Sequence, residues 1–148
     1  MIATKLFPPA VRISIILVLF ADRHPDLEYF FNQIRNTRIR GVMLDTAEKS
    51  SGSLTDIVAL PFIEDFLFRA RKSGLITGLA GSLTEGVVSS LLTLAPDYLG
   101  FRGALCKLNN RINHIDSVSV RRIRSFFPEQ GAFTENKFGN TFLDVNAR

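Results

Sequence analysis

Four short apolar runs, each closing on a polar or glycine turn and each followed by a stretch with helical spacing, constrain this chain more than any other feature. The runs are residues 13–21, 41–44, 75–80 and 97–101. After the first come Leu27, Phe30, Phe31 and Ile34. After the second come Phe62, Ile63, Phe66, Leu67 and Ala70. Val87, Val88, Leu91 and Leu92 follow the third, and Val120, Ile123 and Phe127 follow the fourth. A period of two to none, alternating with a period of 3.6, reads as strand–helix repeated four times, which calls for parallel strands joined by crossover helices.

Punctuation supports these limits. Pro25 is expected in the first turn of the first helix, and Asp56 is expected to cap the second. Lys72-Ser73-Gly74 stops that helix. A third helix is expected directly after Ser82 and closes at Pro96, and Asp116 or Ser117 caps the last. Residues 50–53 and 107–114 read as loops. Residues 1–10 form an N-terminal extension, 11–128 the folded domain, and 129–148, which lack a clear period, a loosely ordered tail. Two architectures satisfy this order: half of a (β/α)₈ barrel, with two free parallel edges, or a small open α/β sheet with helices on both faces.

The 148 residues suffice for one domain with a core. A net charge of +4 favours anionic ligands. A single cysteine, Cys106, excludes an internal disulfide and a cysteine-based zinc cluster, suits a reducing compartment, and is expected to pack as a small buried hydrophobe. With only His24 and His114, no His-rich metal site is expected. Arg121, Arg122 and Arg124 read as the solvated face of the last helix; without interleaved aromatics they suggest no nucleic-acid partner. The run at 13–21 has two readings. It is too short to span a bilayer, but it resembles a signal-peptide core, in which case the chain is a small secreted basic domain; otherwise it is the first buried strand.

Chemistry is expected where the strands end. Gly41-Val-Met-Leu-Asp45-Thr-Ala-Glu-Lys49 places a carboxylate at a strand terminus and an amine four residues on. The next two strands run into Gly81-Ser82 and Arg102-Gly103. The carboxyl edge of a parallel sheet is where such folds hold their sites. An amine attacks a carbonyl only when neutral, and a positioned carboxylate can hold its ammonium form or take its proton. Glycine turns offer backbone N–H groups to a phosphate, and Arg102 adds a charge-assisted donor. The plainer alternatives are an exposed loop lysine and glycines that merely make tight turns.

Val42-Met-Leu-Asp45-Thr-Ala-Glu-Lys49, Leu79-Ala-Gly-Ser82-Leu and Gly100-Phe-Arg-Gly-Ala104-Leu-Cys106-Lys107 resemble the C-terminal half of the (5-formylfuran-3-yl)methyl phosphate synthase family. Ala21-Asp22 and Ile115-Asp116 agree with it, and the resemblance covers roughly residues 11–128. It implies the C-terminal half of a TIM (β/α)₈ barrel and a cytoplasmic lyase of methanofuran (one-carbon carrier) biosynthesis. Such a lyase condenses two glyceraldehyde 3-phosphate molecules, with loss of phosphate and water, through lysine Schiff-base and proton-transfer chemistry. No cofactor, metal, nucleic acid or membrane is implied. The resemblance assigns Asp45 and Lys49 to catalysis, while Gly81, Ser82, Arg102 and Gly103 fall where the barrel binds phosphate. The family's principal Schiff-base lysine and a second catalytic lysine lie in a first half that this sequence does not match, and Lys5 stands in an unrelated context. The expected partner is therefore a second copy or the missing N-terminal half; without one, the chain is expected to be an inactive remnant that keeps the phosphate pocket.

Overall fold

The computed structural model describes residues 14–127, together with the backbone of Phe133–Glu135 and Thr141–Leu143, which pair antiparallel. The N-terminal extension at 1–10 and the rest of the 129–148 tail lie outside the described residues.

Four parallel strands form one sheet in the order of the chain: β1 (Ile16–Phe20), β2 (Gly41–Asp45), β3 (Ile76–Leu79) and β4 (Tyr98–Leu99). The helices are α1 (Leu27–Ile34), α2 (Leu54–Ile57), α3 (Leu60–Lys72), α4 (Val88–Thr93) and α5 (Ser117–Arg124). Side chains alternate across each strand. Val42, Leu44 and Leu79 join Leu27, Phe31, Leu54, Ile63, Phe66, Leu67 and Leu91 in one core, with Leu17, Leu19 and Leu99 packed against it. Helices α1 to α4 therefore lie on a single face, as right-handed crossovers require when each new strand is added on the same side. Among the described residues, none of α1 to α4 covers the other face.

The other face is open. Val18 and Phe20 of β1 are 45% and 41% exposed. Met43 and Tyr98 are partly exposed, and the Tyr98 ring lies so close over Gly78 that a β-carbon there would sit 2.3 Å from it. Burial pushes the Tyr98 phenol pKa up, and the charge of Asp97 adds to this. Residues 16–20 of the run at 13–21 are thus a strand, but an edge strand that is half covered.

Helix limits differ from the sequence expectations for local reasons. Asp26 caps α1, its side chain accepting from Tyr29 N–H at 3.0 Å, so Pro25 precedes the helix instead of lying in its first turn. Ser53 caps α2 in a reciprocal box with Asp56, which bonds back to Ser53 N–H at 2.8 Å. A carboxylate three residues after a serine serves the cap better than it could form one. In α3, Ile63, Phe66, Leu67 and Ala70 make the expected stripe, and Phe31 meets Phe66 with ring centroids 5.8 Å apart. The three larger side chains each contribute about 1.5–3 kcal/mol on burial. Gly74, at φ +70°, closes α3, with Leu75 N–H reaching Ala70 O and Gly74 N–H reaching Arg71 O. Helix α4 starts only at Val88, after a 3₁₀ turn at Glu85–Val87. Asp116 caps α5, which ends at Arg124, before Phe127.

With only two residues, β4 cannot supply a full ladder to β3. Asp97 substitutes for it: its Oδ2 accepts from Thr77 N–H at 2.6 Å and from the buried Thr77 hydroxyl at 2.7 Å, while Asp97 N–H donates to Thr77 Oγ1 at 3.1 Å. Asp97→Ala orphans two buried donors and should cost about 1–3 kcal/mol in urea unfolding. Asp97→Asn, which keeps an acceptor, should lose less; an Ala variant as stable as the parent would contradict this account.

Candidate functional site

The strands end level with one another. Phe20 pairs with Asp45, Leu44 with Leu79, and Leu79 with Leu99. Beyond the last paired residues, Ala80 N–H still reaches Leu44 O and Gly100 N–H still reaches Leu79 O, both at 2.8 Å. The turns after β2, β3 and β4 therefore open side by side onto one cavity of about 500 Å³. Asp45, Lys49, Gly81, Ser82, Arg102 and Gly103 all line it.

Lys49 Nζ lies 2.5 Å from Asp45 Oδ1 and also donates to Thr46 O, with Thr46 Oγ1 at 3.4 Å. Three oxygens around one nitrogen form a seat for an ammonium group. Both partners are largely covered, at 29% and 22% side-chain exposure, so this pair is less screened than a surface bridge. The turn carrying it has no ladder to satisfy its amides, and carboxylates do so instead. Thr46 N–H donates to Asp45 Oδ1 at 2.7 Å, Ala47 N–H to Asp22 Oδ1 at 2.9 Å and Glu48 N–H to Asp22 Oδ2 at 2.8 Å. These bonds, Ala47 N–H first and then Glu48 N–H, hold the Asp22 carboxyl below its ordinary pKa. The Ser50 hydroxyl, and then its N–H, do the same for Glu48.

The next turn packs directly on this one. Gly81, at φ +109°, comes so near Thr46 that a β-carbon would sit 2.8 Å from Thr46 Cγ2. Its carbonyl accepts from Leu54 N–H at 2.8 Å, and Ser82 Oγ donates to Lys49 O at 3.2 Å. Ser82 itself has φ +46°. One expectation fails here. Gly81-Ser82 does not start an α-helix, because the chain turns through Leu83, which is buried in the core, and Thr84 before its 3₁₀ turn. Any anion at Ser82 must rely on turn amides and side chains rather than on a helix terminus.

Arg102 is exposed at the cavity mouth, its Nε donating to Arg111 O at 3.3 Å. Cys106 is buried, its Sγ donating to Arg102 O at 3.3 Å, and His114 is exposed. The loop at 107–114 is closed by Lys107 N–H to His114 O and by Asp116 N–H to Leu105 O. Leu108 and Asn109, at φ +57° and +53°, turn it back over Gly103, and Asn109, Asn110 and Arg111 join the cavity wall. Sequence reading passed over these three and over the clamp made by Asp22; a polar loop and a lone aspartate carry no periodic signal. Among the described residues, no group of three or more His, Cys, Asp or Glu side chains could hold a metal ion. No helix among them is long and apolar enough to cross a membrane.

A model of the 4-HFC-P synthase family matches residues 5–124. A Methylorubrum extorquens protein provisionally named (5-formylfuran-3-yl)methyl phosphate synthase is 45% identical over 80 residues, 54% of this chain and 34% of that protein. The (5-formylfuran-3-yl)methyl phosphate synthase of Archaeoglobus fulgidus is 39% identical over 66 residues, 45% of this chain and 28% of its own. That of Methanocaldococcus jannaschii is 35% identical over 83 residues, 55% and 35%. The chain thus spans about a third of the length of the curated relatives it matches.

Two measurements check this geometry. Gly81→Ala forces a side chain into a left-handed backbone and against Thr46, and should cost about 1–3 kcal/mol in urea unfolding. Acid titration should also reveal the carboxylates. Asp22 is held low by two amides, and Asp116 by the Ser119 hydroxyl and N–H. Such groups contribute stability that is fully present above the ordinary aspartate value of about 3.9 and is lost as pH falls through their lower folded values. The melting temperature should therefore drop over that acid limb. Asp22→Asn and Asp116→Asn should each flatten the drop.

Proposed function

This chain belongs to the 4-HFC-P synthase family, and we propose that it is the C-terminal half of a TIM (β/α)₈ barrel that takes part in (5-formylfuran-3-yl)methyl phosphate synthesis. The reaction condenses two glyceraldehyde 3-phosphate molecules with loss of phosphate and water. The observation that carries this reading is one cavity lined by both the Asp45–Lys49 pair and the Gly81, Ser82, Arg102 and Gly103 turns. The first group suits carbonyl and proton chemistry, and the second suits a phosphate.

In this reading Arg102, the Ser82 hydroxyl and the turn amides hold the phosphate of a triose, placing its carbonyl carbon toward Lys49. Lys49 must give up a proton before it can act as a base or nucleophile, and Asp45 Oδ1 at 2.5 Å is the acceptor at hand. The pair then moves protons during the enolisation that aldol condensation and phosphate elimination both need. A first half would supply the family's principal Schiff-base lysine. The open apolar face at Val18 and Phe20 and the two sheet edges, free among the described residues, support a partner that adds four more strands, either that half or a second copy.

The chain's span of about a third of its relatives favours a second reading for the isolated polypeptide: it binds phosphate esters but does not turn them over. Incubation with glyceraldehyde 3-phosphate followed by borohydride reduction separates the two. A reduced adduct on Lys49, or furan phosphate formed when a matching first half is added, supports the synthase. Binding with neither adduct nor product supports the remnant. Under both, Ser82→Ala and Arg102→Ala should weaken triose-phosphate binding by about tenfold each, the factor one charge-assisted contact carries. Unchanged affinity in both variants would remove the phosphate site.

A further inference from the structure

We infer that Asp22 is a positioning residue: its carboxylate clamps the Asp45–Lys49 turn in the conformation that seats Lys49 on Asp45. Asp22 lies two residues past β1, in the 3₁₀ turn Ala21–Arg23, whose Ala21 is fully buried in the core. β1 and β2 end at the same level, Phe20 opposite Asp45. The carboxylate therefore reaches sideways to the second and third residues past the end of β2. There its two oxygens accept from Ala47 N–H at 2.9 Å and Glu48 N–H at 2.8 Å. With Thr46 N–H on Asp45 Oδ1, three consecutive amides are bound by two carboxylates.

The consequence reaches Lys49 through the backbone. Nζ is held by Asp45 Oδ1 and Thr46 O, and Lys49 O in turn accepts from Ser82 Oγ. Fixing the amides of residues 46–48 orients the Thr46 carbonyl toward Nζ and fixes the first residues of the short path between Asp45 and Lys49. Asp22 does not line the cavity and touches no reacting atom. Its carboxylate also places negative charge beside Glu48, a repulsion that the two amide bonds and Arg23 offset. The clamp thus acts on geometry and deepens the proposed role of Lys49, on which its functional meaning rests.

Two readouts test it, neither using triose phosphate. First, in the parent chain the Ala47 and Glu48 amide proton shifts should titrate together with Asp22, at a midpoint below the ordinary carboxylate range. Amides insensitive to that titration would overturn the clamp without any variant. Second, residue-resolved labelling by trinitrobenzenesulfonate should be slow at Lys49 relative to the exposed Lys72 and Lys107. Asp22→Asn should speed it by about tenfold, the factor one lost charge-assisted bond carries. Ile63→Val, a comparable destabilisation remote from the turn, should leave it unchanged. Equal labelling in the parent and Asp22→Asn, or equal acceleration by Ile63→Val, would overturn the proposal. Absence of both the borohydride adduct and the furan phosphate product would sink the synthase reading and leave the clamp standing.

Discussion

Every feature of the cavity depends on the level register of parallel strands. Phe20, Asp45, Leu79 and Leu99 are joined across the sheet by direct pairing or by one further step, so four chain reversals occur at the same height. A one-residue slip of β2 would turn Asp45 into the helix layer and expose Leu44, because side chains alternate strictly along a strand. The core forbids that slip. Val42 and Leu44 are completely buried against helices on one side only, and moving them to the open face would forfeit several kcal/mol of apolar burial. Packing on one face of the sheet thus sets which residues meet beyond its end.

Beyond the ladder the backbone must find other partners, and here it finds carboxylates. Asp22 and Asp45 bind three successive amides, Asp97 binds Thr77, Asp56 completes the Ser53 cap, and Asp116 caps α5. Bonds to ionised oxygen are roughly twice as strong as neutral ones. Short turns carrying such bonds can therefore hold their shape without regular structure around them. The same bonds explain why an acidic residue sits near several strand ends of a chain whose net charge is positive.

The sheet is asymmetric in a second sense. Its helix-covered face is closed, whereas β1 presents Val18 and Phe20 to solvent and, among the described residues, both edge strands lack further neighbours within the sheet. Free parallel edges beside an apolar face are a liability in a lone chain. In the family to which this chain belongs, the relatives are about three times as long as the stretch they share with it. The cavity, by contrast, is assembled from the described residues without any help from across that face.

Much of this was legible in the amino-acid order because it rests on local physics. Alternation between apolar runs and 3.6-residue stripes identified all four strands and the faces of α1 and α3, and Lys72-Ser73-Gly74 marked a stop that Gly74 makes by adopting a left-handed backbone; of the stripe expected on α5 only Ile123 is buried. Asp45 and Lys49, four residues apart at a strand end, were legible as a pair for the same reason. What local pattern could not decide was set by contacts between distant segments. Leu83 is drawn into the core, which delays α4 to Val88 and removes the helix terminus expected at Ser82. Asp22 binds amides twenty-five and twenty-six residues away, and the loop at 107–114 folds over Gly103 to bring Arg111 to the cavity. Sequence determined the elements and their chemical endings, since propensity and periodicity act within a few residues. Only the tertiary structure decided which endings touch, because that follows from strand register and from burial on one face of the sheet.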